Sequence, residues 1–159
     1  MTWIKPSFFW MMYRSGWASK PNQERILSIT MSRTGFDWAL AHACLSHFDP
    51  DVHESYDLWR NQLRDFPVRI QWDPERNAHL QPVPYKRAIQ IGLAKEAVDK
   101  YKQDWIIQID DITDYCVALK ENIKSNESFT ESGDEILLPC NQKIYPTPYD
   151  VACRLNIGI

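Results

Sequence analysis

The chain has 159 residues, 44% of them hydrophobic and 25% charged, with a net charge of −3. That balance is globular and excludes a disordered tail or a collagen-like fibre, and at this length one domain burying roughly 68–70% of the unfolded chain's surface is expected. Five glycines leave little material for a phosphate-cradling loop, while seven tryptophans and 13% aromatic residues call for a thick core, a stacking surface, or both.

Pro6 suits a first helical position and Gly16 the residue after a helix end, so residues 7–15 read as a short helix, aromatic almost all round and buried over most of its surface. Residues 25–31 (RILSITM) alternate in the manner of a strand. Gly35 opens a helical stretch over 36–46 with Phe36, Leu40 and Ala43 or Cys44 on one face, and 54–65 forms a second helix with Leu58, Trp59 and Leu63 inward. Pro67 ends that helix, 68–72 (VRIQW) is a strand, and Asp73-Pro74 turns the chain. Pro82 and Pro84 lie in an extended stretch before a strand over 87–93; a helix over 95–103 and a strand over 105–110 follow. Asp111 or Thr113 caps a helix running to about 124. Residues 125–135, polar and acidic without periodicity, read as a mobile loop, and an extended ILLP segment and a short helix over 148–155 close the chain. The expected fold is α+β: a single domain over 1–159, with a mixed or mostly antiparallel sheet of about four strands and helices packed on one face.

Charge is unevenly spread. Residues 1–90 carry 11 Lys and Arg against 9 Asp and Glu, whereas 91–159 carry 7 against 12, and eight of the nine arginines fall in the first part. Arginine grips phosphate and carboxylate bidentately, so an anionic partner is expected there; a solvated mixed-charge surface is the plainer alternative. The domain lacks the strongly basic character of a duplex-DNA binder. No segment reaches the ~20 apolar residues of a membrane span, and FFWMMY (8–13) is followed by no small-residue cleavage site. Cys44, Cys116, Cys140 and Cys153 show no paired spacing and read as reduced thiols, so a cytoplasmic protein is expected.

Ile70-Gln71-Trp72, Ile89-Gln90-Ile91 and Ile107-Gln108-Ile109 echo one another. With a two-residue period the apolar members face one way, and Gln71, Gln90 and Gln108, joined by Arg69 and Asp110, face the other. That second face is either the wet side of an open sheet or the floor of a polar cleft. Asp73, Glu75 and Arg76 leave a strand end, where ligand contacts or simple turn hydrogen bonds both fit. Asp73 and Asp110 are the candidate catalytic carboxylates. Lys5, Arg14, Trp17, Lys20, Arg69, Gln71, Arg76 and Gln90 are the candidate ligand-binding residues, Arg14 either stacking on its aromatic neighbours or holding an anion. No metal motif, P-loop, dinucleotide glycine motif or nucleophile elbow is present, so no cofactor is assigned, and His42, His47, His53 and His79 form no ligand pair.

The strings WIKPSFFWMMYRSGW, QER, VRIQWDPER, RAIQIGL and IDDIT, spread over nearly the whole chain, resemble domain-of-unknown-function family 4291. The resemblance implies a small single-domain α+β protein and carries no settled activity. It also implies some thirty or more residues, with a tyrosine-rich strand, ahead of the WIKPSF string; the expectation is therefore a chain lacking that N-terminal segment. From the residues, three functions are expected to compete: an enzyme acting on a nucleotide-like or other phosphate-bearing small molecule, a non-catalytic nucleotide or single-stranded RNA binding module, and a purely structural domain. For the first, a loose similarity to ADP-ribosyltransferase-like folds is fold-level analogy alone.

Overall fold

The computed structural model describes residues 1–125 and 143–158. Cys140, residues 126–135 of the expected loop and the ILLP segment lie outside them. The α+β class and a four-stranded mixed sheet are as expected, but the strands that build the sheet differ. Its order is β1-β5-β4-β3: β1 (Thr2–Ile4) runs antiparallel to β5 (Pro82–Leu93), β5 antiparallel to β4 (Val68–Arg76), and β4 parallel to β3 (Ala43–Leu45). Two strands the sequence places in the same sheet, β2 (Leu27–Met31) and β6 (Ile106–Asp111), form a separate antiparallel ribbon.

β1 and β3 are three residues each, too short for a two-residue alternation to register. β3 lies inside the stretch expected to be helical, because α2 (Arg33–Ala41) starts earlier, at the cap Ser32, and stops short of residue 46. Ala43, Cys44 and Leu45 are all buried, and a strand covered on both faces reads as a plain apolar run.

Asp73-Pro74 does not turn the chain. β4 continues through it, with Asp73 opposite Ala88 and Pro74 opposite Arg87, and an irregularity between Pro74 and Arg76 absorbs the residue that cannot donate. The reversal comes at residues 77–81, where the Asn77 Oδ1 accepts from the backbone N–H groups of His79 and Gln81, both at 3.0 Å, as Asn does in turns. The result is a long hairpin, β4–β5, that projects beyond the rest of the sheet.

The apolar face of the sheet, Val68, Ile70, Ile91 and Leu93, packs with Ala39 and Leu40 of α2, with Ala97 of α4 (Glu96–Lys100), with Tyr101 and Trp105 of the π-helical turn that continues α4, and with Val151 and Leu155 around α6 (Tyr149–Arg154). A second cluster joins Phe8, Phe9 and Met12 of α1 (Phe8–Ser15) to Trp17, Ala78 and Cys116, Leu119 and Ile123 of α5 (Thr113–Ser125). α3 (Tyr56–Asp65) buries Trp59 but leaves Leu58 49% exposed, against the inward position expected for it. Ile107 and Ile109 are likewise exposed rather than in the core, because their ribbon has no sheet beyond it.

Gly35 shows how tightly the first cluster closes. A Cβ there would collide with Cγ and Cδ1 of Trp105, a side chain that is only 6% exposed. Gly35→Ala is expected to cost about 1–3 kcal/mol of unfolding free energy, the clash outweighing the ~1 kcal/mol that alanine otherwise gains in a helix. Urea denaturation measures it; an unchanged midpoint would mean that Trp105 can move aside.

Candidate functional site

Two features meet where α1 begins and the β4–β5 hairpin leaves the sheet. The first is a polar cluster. Ser7 caps α1, accepting from the Trp10 N–H at 3.3 Å, so Pro6 stands one place before the cap rather than inside the helix. The cap brings Lys5 alongside β4, where its Nζ donates to Asp73 Oδ2 at 3.0 Å and lies 3.2 Å from the centroid of the buried Trp10 ring. Asp73 also accepts from Gln90 Nε2 at 2.5 Å and from Gln71 Nε2 at 3.4 Å, while Ser7 donates its hydroxyl to Glu75 at 2.5 Å. Gln71 and Gln90 are direct cross-strand partners. Their side chains therefore reach the same carboxylate.

The Lys5 side chain is only 5% exposed. Burial drives its pKa from 10.5 down to about 8, with the Asp73 hydrogen bond and the charges of Asp73 and Glu75 pulling the other way. Burial by itself raises the Asp73 carboxyl, but the hydrogen bonds from Lys5 and Gln90 and the Lys5 charge outweigh it and hold the group below its usual range. The sign of the Lys5 effect is unusual for an ion-paired lysine. Between about 8 and 10.5 the unfolded chain binds more protons than the folded one, so the penalty is complete below 8 and is relieved as pH rises. Wild type is expected to gain stability relative to Lys5→Met across that window, as followed by paired denaturation curves; a constant difference contradicts the burial of a charged Lys5.

The second feature is a cleft of about 600 Å³. Its walls include Phe36 of α2, Trp72 of β4, Tyr85, Arg87 and Ile89 of β5, Ser7 and Glu75 from the polar cluster, and Lys143 and Tyr145 from the C-terminal segment. Trp72 is fixed by its indole N–H, which donates to the Leu155 carbonyl at 2.8 Å, and the Arg87 guanidinium lies 4.7 Å above its ring. Arg87 Nη2 also donates to the Asn156 carbonyl. Tyr145 packs edge-on against Phe36, 4.7 Å between centroids, and donates its hydroxyl to Asp37 at 2.5 Å. Tyr85 is fully exposed at a φ of 61°, a conformation a bulky residue rarely adopts and one that clusters at functional sites.

Of the residues singled out in the sequence, Lys5, Gln71, Asp73 and Gln90 are brought together. Arg76 lies nearby, its guanidinium 3.8 Å over the Tyr13 ring and Nη1 donating to the Leu80 carbonyl at 3.1 Å, with Nε buried and unpartnered. Arg14 is exposed at the end of α1, where the Gln23 carboxamide accepts from its Nη1 at 3.0 Å. Lys20 donates to the Tyr13 carbonyl at 3.2 Å, and Trp17 is buried in the second cluster. Arg69 donates to the Leu63 carbonyl at 3.1 Å, tying β4 to α3. Asp110 is on the exposed ribbon, accepting from Gln108, and so stands in a different sheet from Asp73. Asp111 fills its expected capping role, accepting from the Thr113 N–H at 3.0 Å. The cleft's Tyr85, Arg87, Lys143 and Tyr145 were not singled out in the sequence. For Tyr85 and Arg87 the only signal there is the long run between Pro82 and Leu93, which becomes legible once the hairpin is known, and Lys143 and Tyr145 have none.

Cys44, Cys116 and Cys153 are free thiols. Among the described residues no group of three or more His, Cys, Asp and Glu could hold a metal ion, and no helix is long and apolar enough to cross a membrane. No curated protein and no solved structure matches the chain. A family model does: residues 1–144 match the one described as Domain of unknown function (DUF4291), and the chain belongs to that family.

Proposed function

We propose that the cleft over the β4–β5 hairpin holds a nucleotide-like anionic small molecule. The observation that carries this reading is the gathering of Phe36, Trp72, Tyr85 and Tyr145 around one cavity that also contains Arg87 and Lys143. Its volume is within the range of small-molecule sites. Rings of this kind offer a face to a planar base, and a guanidinium beside an ammonium suits a phosphate or carboxylate. Arg87 spends one N–H on Asn156 and keeps others for a ligand.

A specific observation favours chemistry as well as binding. Ser7 and Glu75, hydrogen-bonded to each other, both line the cleft. Asp73 already accepts from Lys5, Gln71 and Gln90, so Glu75 is the carboxylate placed to take a proton from a bound molecule, and the Lys5–Asp73 pair fixes the strand that carries it.

Thermal melts with NAD, ATP, GTP and a short RNA test the reading. One nucleotide is expected to raise the midpoint, ligand at ~100 times Kd adding about 2.7 kcal/mol, and RNA is not. Indifference to every nucleotide contradicts it. If a reaction is found, Glu75→Gln is expected to abolish turnover while binding persists; full turnover in that variant removes Glu75 from the chemistry.

A further inference from the structure

Glu75 carries an acceptor that the described residues leave unused. One carboxylate oxygen, Oε1, accepts from the Ser7 hydroxyl at 2.5 Å and from the Arg76 backbone N–H at 2.8 Å. Ser7 is itself buried and held by the Trp10 N–H, so these two contacts fix the carboxylate in place. The other oxygen, Oε2, takes no hydrogen bond from any described residue. The buried side-chain atoms left without a partner there are Arg76 Nε and the Tyr101 hydroxyl. Glu75 Oε2 is not one of them, so it keeps accessible surface, on a side chain that lines the cleft.

An ionised carboxylate only accepts hydrogen bonds, so this oxygen calls for a donor on the ligand and repels its phosphate. The strand register says which part of the ligand lies within its reach. Pro74 is opposite Arg87, which places Glu75 one residue along from the guanidinium that suits the anionic group. Among the described residues no ion pair includes Glu75, and both charges stay available to a ligand. A base edge with two adjacent N–H donors would call for both carboxylate oxygens, and Oε1 is already filled. One free oxygen matches one hydroxyl.

We propose that the cleft selects ribonucleotides over their deoxy counterparts, a ribose hydroxyl donating to Glu75 Oε2; this rests on the nucleotide reading above. With the base against the rings and the phosphate at Arg87, the sugar is the part between them. A carboxylate accepting from a ribose hydroxyl reads the sugar in the same way in dinucleotide-binding folds. A site built to pair with a hydroxyl discriminates against the analogue that lacks it, because its own polar group is then left unpaired.

Calorimetric titration with ATP, GTP, CTP and UTP, each beside its 2′,3′-dideoxy form, tests the proposal. For the base that wild type binds most tightly, the ribose form is expected to bind roughly 10- to 150-fold more tightly than the dideoxy form. In Glu75→Ala that ratio is expected to fall close to one. Arg87→Ala is expected to weaken both forms and leave their ratio standing. Each ratio is taken within one protein, so a general loss of stability cancels, and the wild-type comparison decides even where Glu75→Ala does not fold. Equal affinity of the two forms in wild type would overturn the sugar selection and leave the nucleotide reading intact. A ratio that survives in Glu75→Ala would overturn the role of Glu75. Binding of none of the eight compounds would contradict the nucleotide reading and this inference with it.

Discussion

Asp73→Ala is expected to destabilise the fold by about 2–4 kcal/mol at neutral pH. Removing one partner of a buried ion pair costs about 3–5 kcal/mol because the other charge is left uncompensated, and the part exposure of Asp73, 21% of its side chain, trims that figure. Three donors lose their acceptor at once: Lys5 Nζ, Gln90 Nε2 and Gln71 Nε2. Lys5 limits the damage by shedding its proton, since its pKa is already down to about 8 with Asp73 in place. The loss should therefore shrink as pH rises beyond 8, where Lys5 is neutral in both proteins. Asp73→Asn keeps an acceptor for Gln90 and should cost less than alanine. Denaturant titration of the two variants at several pH values measures all of this, and a small, pH-independent cost for Asp73→Ala would show that the cluster is solvated decoration.

Arg87→Ala is expected to weaken a nucleotide ligand by roughly 10- to 150-fold while changing stability little. Hydrogen bonds to a charged partner are worth about 1.5–3 kcal/mol, which sets that range. Neighbouring groups hold the side chain in place. Its guanidinium lies on the Trp72 ring, which is itself anchored through its indole N–H to the Leu155 carbonyl. Arg87→Lys should recover only part of the affinity, because an ammonium cannot reproduce a two-pronged grip. Equilibrium binding of the nucleotide that shifts the melt decides the matter; unaltered affinity in Arg87→Ala would remove the cleft from the binding surface.

Local signals carried much of the fold. Gly16 after α1 and Asp111 before α5 were legible because a left-handed glycine and a capping carboxylate leave their mark in sequence, whereas the caps Ser7 and Ser32 were passed over in favour of Pro6 and Gly35. Non-local choices left no such mark. Ile107-Gln108-Ile109 has the same pattern as Ile70-Gln71-Trp72, yet one pairs with β2 in a ribbon and the other sits at the centre of the sheet. Asp73-Pro74 carries a turn signal that the long pairing of β4 with β5 overrides. The candidate site divides in the same way. Gln71 and Gln90 were legible because strand alternation puts them on one face, Asp73 because it leaves a strand end, and Lys5 because it belongs to the basic residues of the N-terminal stretch. Arg87, Tyr85 and Tyr145 join them only through the hairpin and the return of the C-terminal segment, long-range contacts with the surroundings of Trp72 that periodicity cannot encode.

The most direct test of the cleft is the indole N–H spectrum of the chain, labelled with nitrogen-15 and titrated with the nucleotide that raises its melting midpoint. Seven tryptophans give a small set of signals, and Trp72→Phe identifies the one that lies in the cleft. The Trp72 signal is predicted to move saturably with ligand, and to need roughly 10- to 150-fold more of it in Arg87→Ala. A stationary Trp72 signal while those of Trp3, Trp17 or Trp59 move would place the ligand elsewhere and contradict the proposed function.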